Sequence, residues 1–364
     1  MKKNYYIFQS GKLIRRQNTL YFEPGVAQEP EEYPLEEEDI IEVIDPDAPV
    51  DEAIPEEPHK LPRKPIPVED IESLFCFGEL RFNTKFLNFI SQKQIILHLF
   101  NYYGYYSGSF YPREPFISGN LLVNQVEHYT NSELRLQLAR KFVQGAAENT
   151  LKNLQYYNTR DRDAEYFIDQ IKLYMEGIEQ AGTVQELMGT EGNIKGLYYK
   201  AWNLIINEQI NFEKREKHPP TNPINALISF GNAMVYTLVL SEIYKTQLNP
   251  VISYLHEPGE RRFSLSLDIA EIFKPLLADR VIFTLLNKKI INEKHFSKEL
   301  NSCYLDETGR KLFVKEFDDK VKTTIKHRHL KKSISYRRLI RLECYKIIKH
   351  LLGEKEYQPF KIWW

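Results

Sequence analysis

The chain has 364 residues, 42% of them hydrophobic and 13% aromatic, with a formal net charge of −1; this length can bury a large core and suggests two domains. Cys76, Cys303 and Cys344 stand far apart and form no CxxC pair, which excludes a disulfide framework or a cysteine zinc site and fits a reducing compartment. The start lacks the apolar core of a signal peptide and no uninterrupted apolar run approaches the ~20 residues of a membrane span, so a soluble cytoplasmic protein is expected.

Residues 5–9, 12–17 and 19–23 are short β-branched and aromatic runs punctuated by Ser10-Gly11 and Asn18, the pattern of strands. Ten of the nineteen prolines then fall within residues 24–67. Residues 29–58 also carry fourteen Asp and Glu and no Lys or Arg. Such a composition does not fold alone, so an extended loop is expected there. Removing those fourteen charges from the total of −1 leaves +13 on the rest of the chain. The loop is therefore either a solubilising appendage or a regulatory polyanion on a basic, nucleic-acid-binding body. Strand character resumes at 66–68, 74–77 and 95–100, with a short helix over 84–91. A β-rich domain ends near residue 112.

After the glycine- and proline-containing stretch 104–119 the period changes to 3.6, predicting helices over about 120–157, 162–181, 183–207, 222–246, 266–288 and 333–352. Pro219, Pro220 and Pro223 precede the fourth, where proline is tolerated at a helix start. Thr183 and Glu186 form a capping-box pattern for the third. Residues 320–349 hold eleven Lys and Arg against one acid, Glu343, either a nucleic-acid surface or a solvated face.

Three stretches could carry chemistry. Residues 189–199, Gly-Thr-Glu-Gly-Asn-Ile-Lys-Gly-Leu-Tyr-Tyr, set three glycines around Glu191, each weakening a helix by ~1 kcal/mol relative to alanine. Close approach of another backbone, as in a helix crossing, or of a phosphate would compensate. Residues 215–231 place Arg215 and Lys217 in a proline-rich loop before a helix start, whose free N–H groups suit a phosphate. In the third, His256 is followed by Asp268 and Glu271, three apart and so on one helical face. Apolar Leu265, Leu267, Ile269, Ile272 and Phe273 surround them. Two carboxylates there cost desolvation unless a cation or hydrogen bonds compensate. Taken alone, the pair reads as a solvated helix face, with Asp268 as a helix cap; a metal site is the sharper alternative.

In this order and at these separations, the three stretches resemble the CRISPR adaptation integrase family. Residues 97–110, Leu-His-Leu-Phe-Asn-Tyr-Tyr-Gly-Tyr-Tyr-Ser-Gly-Ser-Phe, resemble the aromatic, glycine-rich end of its N-terminal domain. Residues 335–346, Ser-Tyr-Arg-Arg-Leu-Ile-Arg-Leu-Glu-Cys-Tyr-Lys, resemble its basic C-terminal helix. The likeness covers the chain except about 25–64 and is greatest to the branch found with type I-B systems. Two departures stand out: Asn232, where many members have Tyr, and the acidic insert.

The resemblance implies an α+β two-domain fold, an N-terminal β-sandwich over 1–112 with its acidic proline-rich insert at about 25–64, a linker over 113–119, and a larger all-α catalytic domain over 120–364. It implies Mg²⁺ or Mn²⁺ held by Glu191, His256 and Glu271, with Asp268 supporting. The implied reaction is spacer acquisition, in which a DNA 3′-hydroxyl attacks a repeat phosphodiester. Arg215, Lys217, Asn225, Lys331, Lys332, Arg337, Arg338 and Arg341 are the candidate DNA-binding residues. A homodimer bridged to a second by a small ferredoxin-like partner subunit is the implied assembly. The alternatives are a branched-DNA repair nuclease and a non-catalytic DNA-binding scaffold.

Overall fold

The computed structural model describes residues 2–25, 64–113, 116–207, 212, 215–216, 219–259, 263–299, 302–327 and 330–363. The acidic run at 29–58 lies outside them. Three strands open the chain: β1 (Lys3–Ile7), β2 (Gly11–Arg16) and β3 (Thr19–Pro24). Then come β4 (Lys64–Ile66), β5 (Ile71–Cys76), β6 (Leu80–Arg81), helix α1 (Thr84–Gln92), β7 (Ile96–Phe100) and β8 (Tyr106–Phe110). One sheet has the order β1-β5-β7-β8, parallel except for β8, and the other β4-β3-β2-β6. Strands β6 and β8 are not foreseen from the sequence. The first spans two residues, and Tyr-Ser-Gly-Ser-Phe is a strand because β7 pairs with it rather than by its own propensity.

Period-two alternation divides these strands between two cores. On β5, Leu74 and Cys76 join Leu13, Leu20 and the α1 residues Phe86, Phe89 and Ile90 between the sheets. Phe75 and Phe77 turn the other way, into the core of the helical part. A one-residue slip would exchange the two sets.

The helical part runs α2 (Gly119–Thr130), α3 (Ser132–Asn158), α4 (Glu165–Gln180), α5 (Val184–Ile205), α6 (Pro223–Tyr244), α7 (Ser264–Lys274) and α8 (Arg280–Asn287). A hairpin of β9 (Phe296–Glu299) and β10 (Ser302–Leu305) leads to α9 (Glu307–Lys322). A second hairpin, β11 (Thr324–Lys326) and β12 (Ser333–Ser335), leads to α10 (Tyr336–Leu351). Neither hairpin nor α9 is foreseen from the sequence.

The periodic stretch 120–157 is two helices rather than one. Asn131 leaves the helical backbone and its side chain caps α3, accepting from the N–H of Glu133 and Leu134 at 3.0 and 3.1 Å. The stretch 266–288 is likewise α7 and α8 joined by a π-helical turn, Pro275–Asp279, because Pro275 has no N–H to continue the ladder. Buried α3 amides satisfy carbonyls there. Asn149 donates to the carbonyl of Ile272 at 2.8 Å and Asn153 to that of Pro275 at 2.7 Å.

Helix α6 is long and apolar enough to cross a membrane, yet 78% of its apolar window is buried inside the protein, as in a core helix. Its Ser241 bonds His98 of β7 at 2.6 Å, while the other ring nitrogen meets Ser109 of β8 at 2.6 Å. Burial pushes the His98 imidazole down to about 3, so a neutral ring joins the strand-rich and helical parts.

Candidate active site

Helix α5 starts where Thr183 accepts from the N–H of Glu186 at 3.2 Å. The reciprocal arm goes to the Gly182 N–H, at 2.8 Å, rather than to that of Thr183. Leu187, Ile194, Tyr198, Ala201 and Trp202 bury its inner face. The glycines have no such partner: a Cβ at Gly189, Gly192 or Gly196 would meet nothing within 4 Å. The expected close backbone approach or helix crossing is therefore absent among the described residues, and this ridge faces open space beside Glu191.

Glu191 and Glu271, on α5 and α7, converge on one cation. The Lys195 ammonium is paired with Glu191 and lies 2.7 Å from Glu271 Oε2. Lys274 donates to Glu271 Oε1 at 2.6 Å. Burial favours the neutral form of Glu271, but the two ammonium groups outweigh it and hold the carboxyl well below the usual range. Burial disfavours the Lys195 ammonium as well, and the two carboxylates reverse that effect, keeping it charged.

His256 sits in the loop before α7, and Asp268 organises that loop. Asp268 is fully buried within α7 rather than at its cap. Its Oδ2 accepts from the N–H of Tyr254 at 2.7 Å and of Leu255 at 3.0 Å. Its Oδ1 accepts from the N–H of His256 at 3.0 Å and lies 2.8 Å from His256 Nδ1. An Nδ1–H donated to this carboxylate leaves the lone pair on Nε2, as for a ligating imidazole. From outside the loop, Arg135 binds the Tyr254 carbonyl at 3.0 Å and Glu257 at 2.7 Å.

The carboxylate pair suits a hard divalent cation in donor type, and Lys195 marks the point where the two charges meet. His256 stays against Asp268. Among the described residues, no three His, Cys, Asp or Glu side chains form a metal-holding cluster. Glu191, Lys195, Glu271, Lys274, Tyr198 and Asp279 line one cavity, closed on the apolar side by Val143, Ala146 and Ala147 of α3. Burial pushes the Asp279 carboxyl up to about 7, although it accepts a hydrogen bond from Tyr198 at 3.0 Å.

The candidate DNA-binding residues divide by burial. Lys331, Lys332 and Arg338 are exposed, and Lys217 lies outside the described residues. Asn225 is fully buried, which corrects its reading as a DNA-binding residue. Its Oδ1 accepts from Arg215 Nη1 and from the Glu216 N–H, each at 3.0 Å, fixing the loop. Arg215 is also directed inward, donating to Ser229 at 2.8 Å. Asn222 already caps α6 through the Asn225 N–H at 2.9 Å, so one of the donors foreseen for a phosphate is taken. Arg341 donates to buried Glu242 at 2.6 Å and lies 3.5 Å from Glu72, which Arg337 approaches to 3.9 Å. These two arginines tie α10 to α6 and β5 instead of facing solvent.

Lys195, Lys274 and Asp279 were missed by sequence reasoning. The signal for the lysines was the i,i+4 and i,i+3 spacing from Glu191 and Glu271. Asp279 carries no such local signal.

A family model described as CRISPR associated protein Cas1 matches residues 52–319. The chain is 49% identical to the CRISPR-associated endonuclease Cas1 of Fusobacterium nucleatum, over 100% of this chain and 98% of that protein. It is similar to a CAS1 protein structure from Thermotoga maritima, with TM-score 0.79 and 38% identity over 99% of this chain and 100% of that one. A casposase bound to integration product shares the fold, with TM-score 0.78 at 16% identity, over 98% of this chain and 92% of that one.

Proposed function

The chain belongs to the CRISPR-associated Cas1 family, and from that premise we propose that it is a divalent-metal-dependent DNA endonuclease and integrase that inserts new spacers into a repeat array. One observation carries the reading: Glu191 and Glu271, from separate helices, converge on a single cation, and Asp268, on the same helix as Glu271, holds His256. Glu191, Glu271 and His256 are then the metal ligands, and Asp268 orients the imidazole. A bound Mg²⁺ or Mn²⁺ supplies Lewis acidity toward phosphate oxygens and lowers the pKa of the attacking hydroxyl. A DNA 3′-hydroxyl displaces another at a repeat-edge phosphodiester, so one phosphodiester forms as one breaks.

The substrate is double-stranded DNA, whose phosphates meet Lys331, Lys332 and Arg338. The assembly is a homodimer joined to a second by a small ferredoxin-like subunit, in the cytoplasm, and the branch is that of type I-B systems.

A second reading, a nuclease of branched DNA, uses the same carboxylates with water as the attacking group. The test is half-site integration with a repeat-bearing plasmid, labelled 3′-hydroxyl fragments, the partner subunit and Mn²⁺. Covalent joining of label to the repeat edge is the expected outcome. Cleavage of flaps and junctions with no joining under any condition would favour the repair nuclease, and neither activity would leave a scaffold.

A further inference from the structure

We infer that Lys195 is an internal gate of this site: it holds the place between Glu191 and Glu271 and withdraws when a divalent cation takes that place. The inference rests on the metal-site reading above.

Both oxygens of Glu271 are engaged by ammonium groups, Oε2 by Lys195 at 2.7 Å and Oε1 by Lys274 at 2.6 Å. A divalent cation bound to Glu271 would sit beside both ammonium groups, and the repulsion between like charges favours displacing one of them. The Lys195 side chain is 33% exposed and that of Lys274 16%, so Lys195 has the shorter way out to solvent, where its charge is hydrated again. Lys195 is also the one paired with both carboxylates, and its departure alone frees an oxygen on each helix.

The glycines explain how it can leave. Gly192 lies one turn before Lys195 and Gly196 directly after it, and a Cβ at either would meet nothing within 4 Å. The flexible four-carbon stem has room to swing over this bare ridge. Until then its charge prevents two partly desolvated carboxylates from facing each other uncompensated. The helix gives up propensity at these glycines and gains a clear path beside Lys195.

The test is Mn²⁺ titration of the full chain, without DNA, by isothermal calorimetry, paired with thermal melting. Lys195→Met is expected to bind Mn²⁺ about tenfold or more tightly than wild type. Its metal-free form should melt lower and regain more on adding Mn²⁺ than wild type does. Lys195→Gln carries the same comparison should the Met variant fail to fold. Glu191→Gln should weaken Mn²⁺ binding in both backgrounds. Equal or weaker binding by the Lys195 variants, with Glu191→Gln still impaired, overturns the gate and leaves the metal site standing. No Mn²⁺ binding by wild type and Lys195 variants alike overturns the metal-site reading, and the gate with it.

Discussion

Asp268 holds His256 twice, accepting from its backbone N–H at 3.0 Å and lying 2.8 Å from its imidazole Nδ1. The same carboxylate takes the N–H groups of Tyr254 and Leu255. Asp268→Ala removes the acceptor from all four. The expected stability loss is about 1–3 kcal/mol for each buried N–H left unpaired. Strand transfer should fall about 10- to 100-fold, as for loss of a residue that orients a metal ligand, and less than for Glu271→Ala. The integration assay reads the rate, and the NMR shifts of the His256 ring read its orientation. An unchanged ring environment would place the effect elsewhere.

Glu191→Ala, His256→Ala and Glu271→Ala should each abolish strand transfer in Mn²⁺ with DNA affinity retained. Their effects on folding should differ. Glu271→Ala takes the carboxylate from Lys274 and leaves Lys195 with Glu191 alone, a change worth about 3–5 kcal/mol when a buried pair is broken. The Glu191 side chain is 17% exposed and shares its lysine with Glu271, so its removal should matter much less to unfolding. Chemical denaturation of the two variants checks the order. Full strand transfer by Glu191→Ala would sink the assignment.

The site was legible in the sequence as far as local spacing and motif order reach. Asp268 and Glu271 on one face followed from helical periodicity, and the π-turn shows why that periodicity still ran unbroken through Pro275. Lys195 drew no reading of its own because its second partner, Glu271, arrives from another helix through tertiary packing. Asn225 and the ion pairs of Arg341 escaped for a related reason: residue type gives charge and polarity, whereas burial and partners are set by the elements that pack against them. Strand β8 escaped because its partner, not its composition, makes it a strand.

The C-terminal cations should therefore split into two classes. Replacing exposed Lys331, Lys332 and Arg338 with Ala should weaken DNA binding across all sequences. The slope of log affinity against log salt should fall by about 0.9 for each phosphate that is no longer neutralised. Arg341→Ala should leave that slope alone and lower stability instead, because fully buried Glu242 loses the partner at 2.6 Å and keeps only Lys245 at 3.0 Å. Binding isotherms at several salt concentrations, with melting curves beside them, separate the two. Arg341→Ala reducing the slope as much as the triple variant would return Arg341 to the DNA surface.

Asp279 makes stability depend on pH in a direction opposite to that of most acids. Burial lifts its carboxyl from an ordinary 3.8 to about 7. Between those values the folded chain keeps a proton that the unfolded chain has released, so stability falls as pH rises through the window. The contribution is fully present below about 4 and gone above about 7. Asp279→Asn removes this source of pH dependence while keeping the shape, so the two proteins should diverge as pH rises. The shift corresponds to about 4 kcal/mol at most in favour of the variant. Urea unfolding at about pH 5 and pH 8 reads the divergence, and parallel changes in the two proteins would mean that Asp279 ionises normally. Tyr198→Phe sharpens the test. Its hydroxyl donates to the carboxylate at 3.0 Å and favours the ionised form, so deleting it should move the upper edge of the window to still higher pH.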